Sequence, residues 1–183
     1  MKRISRGLIF LTLGVVLLLT AAGWYAYNIA EDHRAGERSE EILQVLDTTP
    51  KPSGENVTVL GEAFCGVISV DKIALRLPVY AEWDYERLDT APCRYAGSIE
   101  TGDIIIAAHN YQSHFGALNK LLVEDLIRFT DAGGREHTYR VCEIVTLDGS
   151  AVTDMQAGGW DMTLFTCTKG GKQRITLRCQ KIS

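Results

Sequence analysis

Hydrophobic and polar positions divide the chain into three stretches with different periods. From residue 7 to residue 30, in GLIFLTLGVVLLLTAAGWYAYNIA, no position is charged, and Lys2, Arg3 and Arg6 come before it. At 1.5 Å per residue, a helix over this stretch would be roughly 36 Å long, enough for a hydrocarbon core of about 30 Å. Trp24, Tyr25 and Tyr27 gather at its far end, where amphipathic rings favour the membrane interface. The pattern predicts a cytoplasmic segment over residues 1–6, a transmembrane signal anchor over 7–30, and the remainder outside the cell membrane. A cleavable leader would carry a shorter apolar region and an A-x-A-like site, which this segment does not contain.

Residues 31–60 read as stalk and linker. EDHRAGERSEEILQVL is charged and then apolar at Ile42, Leu43 and Leu46, and can prolong the helix beyond the bilayer. DTTPKPSGEN follows as a flexible connection, so the segment is expected to be a solvated spacer that supplies reach. Asn56-Val57-Thr58 matches a glycosylation sequon by pattern alone.

From residue 61 to 183 the dominant period is two, the signature of strands. In KIALRLPVY, Ile73, Leu75, Leu77 and Val79 alternate with Ala74, Arg76, Pro78 and Tyr80, and Pro78 marks an edge or a bulge. GDIIIAAHN is apolar throughout from Ile104 to Ala108 and predicts a central strand ending at His109. FGALNKLL spaces Leu118, Leu121 and Leu122 as a short connecting helix. LIRFTDAGGREHTYRVCEIVTL predicts two strands around a turn over residues 131–134, and MTLFTC and RITLRC close the chain as two more. The fold expected is a barrel-like all-β domain with short helices, preceded by the membrane helix.

With 183 residues, the part beyond the anchor suits one domain. A formal net charge of -4, with no basic block after the N-terminus, removes nucleic acid as a partner. Of five cysteines, Cys65, Cys93, Cys142 and Cys179 can pair in three ways and leave Cys167 over, or all five can be buried thiols. No C-x-x-C pair occurs, His109 and His114 are five apart rather than four, His33 belongs to the stalk, and His137 reads as a surface residue of a strand. No metal or cofactor is expected.

His109 and Cys167 each end a short apolar strand where a loop begins, the position at which a rigid scaffold presents reactive groups. If those strands are parallel neighbours, imidazole and thiol share one cleft. Arg174 opens the next strand after the connection at residues 168–173, which contains Gly170 and Gly171, and a hairpin there returns it beside the thiol. Arg178, on the same face, lies about 13 Å further along. Taken singly, Cys167 reads as a small core residue and Arg174 as a surface cation; their joint placement favours chemistry.

TLFTC followed by Arg174, with AAHNY and FGALNKL upstream and KIALRLPVY earlier, resembles the sortases, membrane-anchored cysteine transpeptidases of Gram-positive bacteria. Ala108 stands where the family usually has glycine before the histidine. The resemblance implies a closed eight-stranded β-barrel over residues 61–183 and a catalytic set of His109, Cys167 and Arg174. It also implies an LPxTG-like sorting signal of a surface protein as substrate. The thiolate would form a thioester, His109 would exchange protons with the two amines, and Arg174 would hold backbone or oxyanion. Asn110, Thr166 and Thr168 are the expected substrate-binding positions, with backbone N–H groups near Cys167 and Thr168 completing the hole. The amine acceptor would come from a peptidoglycan precursor or a pilin. No Asp-Pro-aromatic lid tripeptide occurs in residues 47–64, which favours a wall-anchoring enzyme of class B or related clostridial type over pilus assembly. A papain-like protease is disfavoured because its cysteine precedes its histidine, and a membrane-tethered binding barrel without catalysis is the remaining alternative.

Overall fold

The period-two segments become strands that close on themselves. The computed structural model describes residues 6–52, 54–156 and 158–183; Lys2 and Arg3 of the basic start lie outside the described residues. The strands are β1 (Val57–Val59), β2 (Glu62–Val70), β3 (Leu75–Tyr80), β4 (Cys93–Ala96), β5 (Ile104–Ala108), β6 (Leu126–Asp131), β7 (Glu136–Asp148), β8 (Met162–Cys167) and β9 (Gln173–Lys181). Their order in the sheet is β1-β2-β3-β4-β5-β8-β9-β7-β6, and β6 pairs back onto β2. Strands β2 to β9 therefore form a closed barrel of eight, and β1 is a short addition on the first residues of β2. Two joints are parallel, β3 with β4 and β5 with β8.

The uninterrupted apolar run of β5 has a simple cause. Ile104, Ile106 and Ala108 face the barrel interior with Phe129, Tyr139, Leu164 and Leu177. Ile105 and Ala107 lie on the outer face with Phe165 and Met155, so the strand is covered on both sides. The predicted short helix is a 3-10 turn at Phe115–Lys120 that places Phe115 and Leu118 in the core. Pro78 sits on β3, whose second edge meets β4 only at the Tyr80 and Cys93 pair, so its missing N–H falls on a mostly open edge. His137 is not a surface residue: it is buried on β7 with Nε2 2.9 Å from Asp131 Oδ2.

Helix α1 (Arg6–Thr48) runs unbroken through the apolar stretch and the stalk. Its 18-residue apolar window is exposed and long enough to cross a membrane. Its second half is no solvated spacer. Ala35, Ser39, Ile42, Leu43 and Leu46 form a buried stripe at helical spacing. Ile42, Leu43 and Leu46 join Val57, Phe64, Val67, Tyr80 and Leu88 in a second core outside the barrel wall. Burial of such side chains contributes about 1.5–3 kcal/mol each, more than a solvated helix gains from its surface pairs. Arg76 reinforces the docking by donating to both carboxylate oxygens of Asp47, at 3.0 and 2.6 Å.

Candidate active site

Strand register brings the three sequence-predicted residues to one place. In the parallel pair of β5 and β8, Ala108 lies opposite Thr166, so His109 and Cys167 follow at the same level. In the antiparallel pair of β8 and β9, Cys167 lies opposite Arg174. Leu164 and Leu177 point into the barrel, and alternation turns Cys167 and Arg174 to its outer face. The turn between β8 and β9 holds that register: Thr168 N donates to Gln173 O at 2.9 Å and Gly171 N to Thr168 O at 2.9 Å. Gly170 and Gly171 take φ of +92° and +73°, where a side chain would be strained.

Burial separates the thiols. All five are free, and burial pushes Cys65 up to about 12 and Cys93 up to about 11, and raises Cys179 further. Such thiols stay protonated and out of reach of substrate. Cys142 and Cys167 are both half-exposed, and of the two only Cys167 ends a strand level with His109.

His109 is packed by residues from distant parts of the chain. Its Nε2 is 3.0 Å from Asp89 Oδ1, on a 3-10 turn at Arg87–Asp89. Tyr85 meets the imidazole edge-on at 5.8 Å between centroids, and Tyr111 lies at 5.2 Å. Burial first, then the negative charge of Asp89, pushes the Tyr111 phenol above its ordinary range, so it remains neutral. The loop after His109 is tied to α1, where Asp32 accepts from Ser113 N at 2.9 Å, Gln112 N at 3.2 Å and Ser113 Oγ at 2.5 Å. One turn on, Gly36 leaves room for this approach, since a Cβ there would stand 3.1 Å from Ser113 Cβ. Ser39 Oγ donates to Thr90 O at 2.6 Å and stands 3.4 Å from Nε2 of the buried His114. Asp32 and Ser39 thus fasten both segments that flank the imidazole. Neither they nor Asp89, Tyr85 and Tyr111 stood out in the sequence, although the spacing of Ala35, Ser39, Ile42 and Leu46 carries the helical stripe.

The other expected positions divide. Arg174 Nη1 donates to Gly171 O at 2.9 Å and Gln173 O at 3.2 Å, which fixes the guanidinium over its own turn. Arg178 is engaged elsewhere: Nη1 pairs with Glu143 Oε2 at 2.8 Å, and Nη2 donates to Asp154 O at 2.7 Å. That second bond pins the short helix α2 (Val152–Gln156). Thr166, expected to border substrate, has its side chain on the inner face. It is buried there, and Oγ1 donates to Ala108 O at 2.9 Å, latching β8 to β5. Thr168 Oγ1 accepts from Gln173 N at 3.3 Å within the hairpin, and Asn110 lies half-buried next to His109.

Outside the barrel wall, Met155 of α2 covers Ile105, Ala107 and Phe165 in a small buried apolar cluster, with Tyr95 and Leu147 packed against it. Trp83, Tyr95 and Phe165 continue it edge to face at 5.1 and 5.3 Å. A cavity of about 520 Å³ lies elsewhere, at the start of β5, where Lys51 and Glu55 of the linker meet Arg94, Glu100, Ile104 and Arg135. Thiol, imidazole and guanidinium at one level of the sheet are the kinds of group that acyl transfer through a covalent intermediate uses.

The fold and the sequence have known counterparts. Among solved structures, sortase C1 from Streptococcus agalactiae is 26% identical, with a TM-score of 0.61 over 87% of this chain and 90% of that one. A Clostridium perfringens sortase D5 transpeptidase is 22% identical, with a TM-score of 0.62 over 80% and 97%. Pilus island 1 sortase C2 of Group B Streptococcus is 19% identical, with a TM-score of 0.59 over 82% and 98%. No curated protein sequence matches significantly. The sortase domain model matches residues 68–182, and the chain belongs to the sortase family.

Proposed function

We propose that the protein is a cysteine transpeptidase that cleaves an LPxTG-like sorting signal and passes the acyl group to an amine, anchoring surface proteins to the cell wall. The observation that carries this reading is the double register of Cys167, level with His109 on one side and opposite Arg174 on the other. His109 takes the Cys167 thiol proton, Sγ attacks the scissile carbonyl carbon, the C–N bond breaks, and the departing amine receives that proton from His109. A second amine then attacks the thioester and gives its proton to His109, and the thiolate leaves. Arg174 and backbone N–H groups near Cys167 and Thr168 stabilise the oxyanion, while Asn110 and Thr168 border the peptide. Residues 1–6 would remain in the cytoplasm, 7–30 would span the membrane and 61–183 would work outside.

Wall anchoring is favoured over pilin polymerisation because residues 47–64 contain no Asp-Pro-aromatic tripeptide. Lys51 and Glu55 of that segment line the cavity at the start of β5, whereas His109 follows its end. Pilus assembly is the second reading, since pilus island sortases are among the structures with this fold. Mass spectrometry of the full chain with a library of sorting peptides tests the first half-reaction. A peptide-sized adduct on Cys167, absent from Cys167→Ala, is expected; turnover retained by Cys167→Ala overturns the mechanism. Competition between a peptidoglycan-precursor amine and a pilin lysine for the thioester separates the two readings.

A further inference from the structure

Asp89 lies in a part of the chain to which no role has been given, yet its carboxylate is the ion-pair partner of the His109 imidazole. The distance from Oδ1 to Nε2 is 3.0 Å, and Asp89 makes no other ion pair among the described residues. The neighbouring cation Arg87 is turned away to Glu62, at 2.8 Å.

The backbone on either side of Asp89 is held in place, while the carboxylate itself is 56% exposed and meets the imidazole from the solvent side of the turn. Leu88 is buried in the outer core, and Thr90 N and Ala91 N both donate to Arg87 O, at 2.9 and 3.0 Å. Upstream, Asp84 Oδ1 accepts from Glu86 N at 2.7 Å and Arg87 N at 3.2 Å, closing the turn that leads in. Downstream, the carbonyl of Thr90 is fastened to α1 by Ser39. The contact is a charge pairing at 3.0 Å: a carboxylate only accepts, so it favours a proton on the ring nitrogen that faces it. That pairing favours the tautomer with its proton on Nε2, and Nδ1 is then the ring nitrogen free to exchange protons. Tyr85 and Tyr111 both pack against the ring, at 5.8 and 5.2 Å between centroids, and crowd its rotation.

We infer that Asp89 is a positioning residue for His109: it fixes the imidazole plane and tautomer so that Nδ1 serves the proton transfers. The inference rests on the transpeptidase reading given above. General acid–base help is worth about 10²- to 10⁴-fold, and a misoriented imidazole forfeits part of it. Asp89→Ala and Asp89→Asn should therefore lower kcat about 10- to 100-fold with KM changed less than threefold. Asp89→Glu should restore part of the loss, since it keeps an acceptor on a longer arm.

Two measurements on the full chain in detergent micelles test this. The first is steady-state acyl transfer by the four proteins. The second is nitrogen NMR of ring-labelled histidine at neutral pH, with His109 assigned by its loss in His109→Gln. Wild type should show His109 protonated on Nε2, and Asp89→Ala a mixture of tautomers, while Cys167 is alkylated at an unchanged rate. The NMR result needs no substrate, so it stands or falls apart from the transpeptidase reading. Asp89→Ala with kcat within twofold of wild type, or with the tautomer unchanged, overturns the inference. So does an Asp89→Glu protein no better than Asp89→Ala.

Discussion

Cys167 and Arg174 face one another across a single hairpin whose turn is closed within residues 168–173, whereas His109 is surrounded by residues drawn from positions 32 to 113. The first pair needs nothing beyond strand pairing and two glycines. The histidine needs a helix, a 3-10 turn and a loop to arrive together. One cleft thus joins a locally specified half to a half specified by tertiary contacts, and the two should fail differently when disturbed.

The largest effects belong to the hairpin half. Cys167→Ala should abolish acyl transfer, and Arg174→Ala should lower kcat/KM about 10²- to 10³-fold, the usual loss for one transition-state donor. Arg174→Lys should recover only part, because an ammonium lacks the planar fork. Arg178→Ala is the control on the same strand. Its guanidinium holds Glu143 and the Asp154 carbonyl, so its loss should appear in thermal stability with a much smaller kinetic change. Steady-state kinetics with circular dichroism checks the set; a crippled Arg178→Ala beside a near-normal Arg174→Ala would reverse the assignment.

A moderate effect should isolate the histidine half. Asp32→Ala combined with Ser39→Ala removes the hydrogen bonds by which α1 holds the loop after His109 and the Thr90 carbonyl. Such bonds are worth about 0.5–1.5 kcal/mol each to stability, most of it felt in the helix docking; with the worth of about one bond felt at His109, kcat/KM should fall about 3- to 10-fold. Alkylation of Cys167 by a small electrophile should stay within twofold, since the hairpin is untouched. Equal losses in both assays would show that the halves are not separable.

The smallest effect at neutral pH concerns His114, which lies under α1 with its pKa lowered by burial to about 4. Above pH 6.5 it is neutral whether folded or unfolded and contributes no pH dependence. As pH falls from 6.5 towards 4 the unfolded chain takes up the proton first, so stability drops, on the order of 2–3 kcal/mol, and the loss is complete below about 4. Asp32 and Asp131, whose carboxyls are lowered despite their burial, add their own losses only below the ordinary carboxylate range. Urea denaturation of the full chain from pH 7 to pH 4 should show this slope, and His114→Gln should flatten it. An identical slope in both proteins would remove His114 as its source.

How readily each part could be read from the sequence follows the same division. Period-two alternation, the apolar run of β5 and the glycines before Arg174 are local signals, and they led to the barrel, to Cys167 and to Arg174. His109 was legible as the residue ending that run. Asp89 was not, because an acid after a short 3-10 turn has no periodic signature, and its value lies in where the turn is placed. The stalk was misread for a related reason. Ile42, Leu43 and Leu46 were visible as apolar, but only the small Ala35 and the polar Ser39 complete the stripe that shows a docked face. Thr166 was named as a substrate-binding position, and strand alternation turns its side chain inward, where it bonds Ala108 O.

The unbroken course of α1 sets an altitude. The apolar run ends at Ala30, and Asp32 already grips Ser113 in the loop that follows His109. With residues 7–30 in a bilayer, that loop lies within about one helical pitch, 5.4 Å, of the headgroups. The cleft is then a workbench bolted to the membrane surface and not a head on a tether. A peptide held at the same surface meets it by searching a plane, while a peptide free in solution must find that plane first.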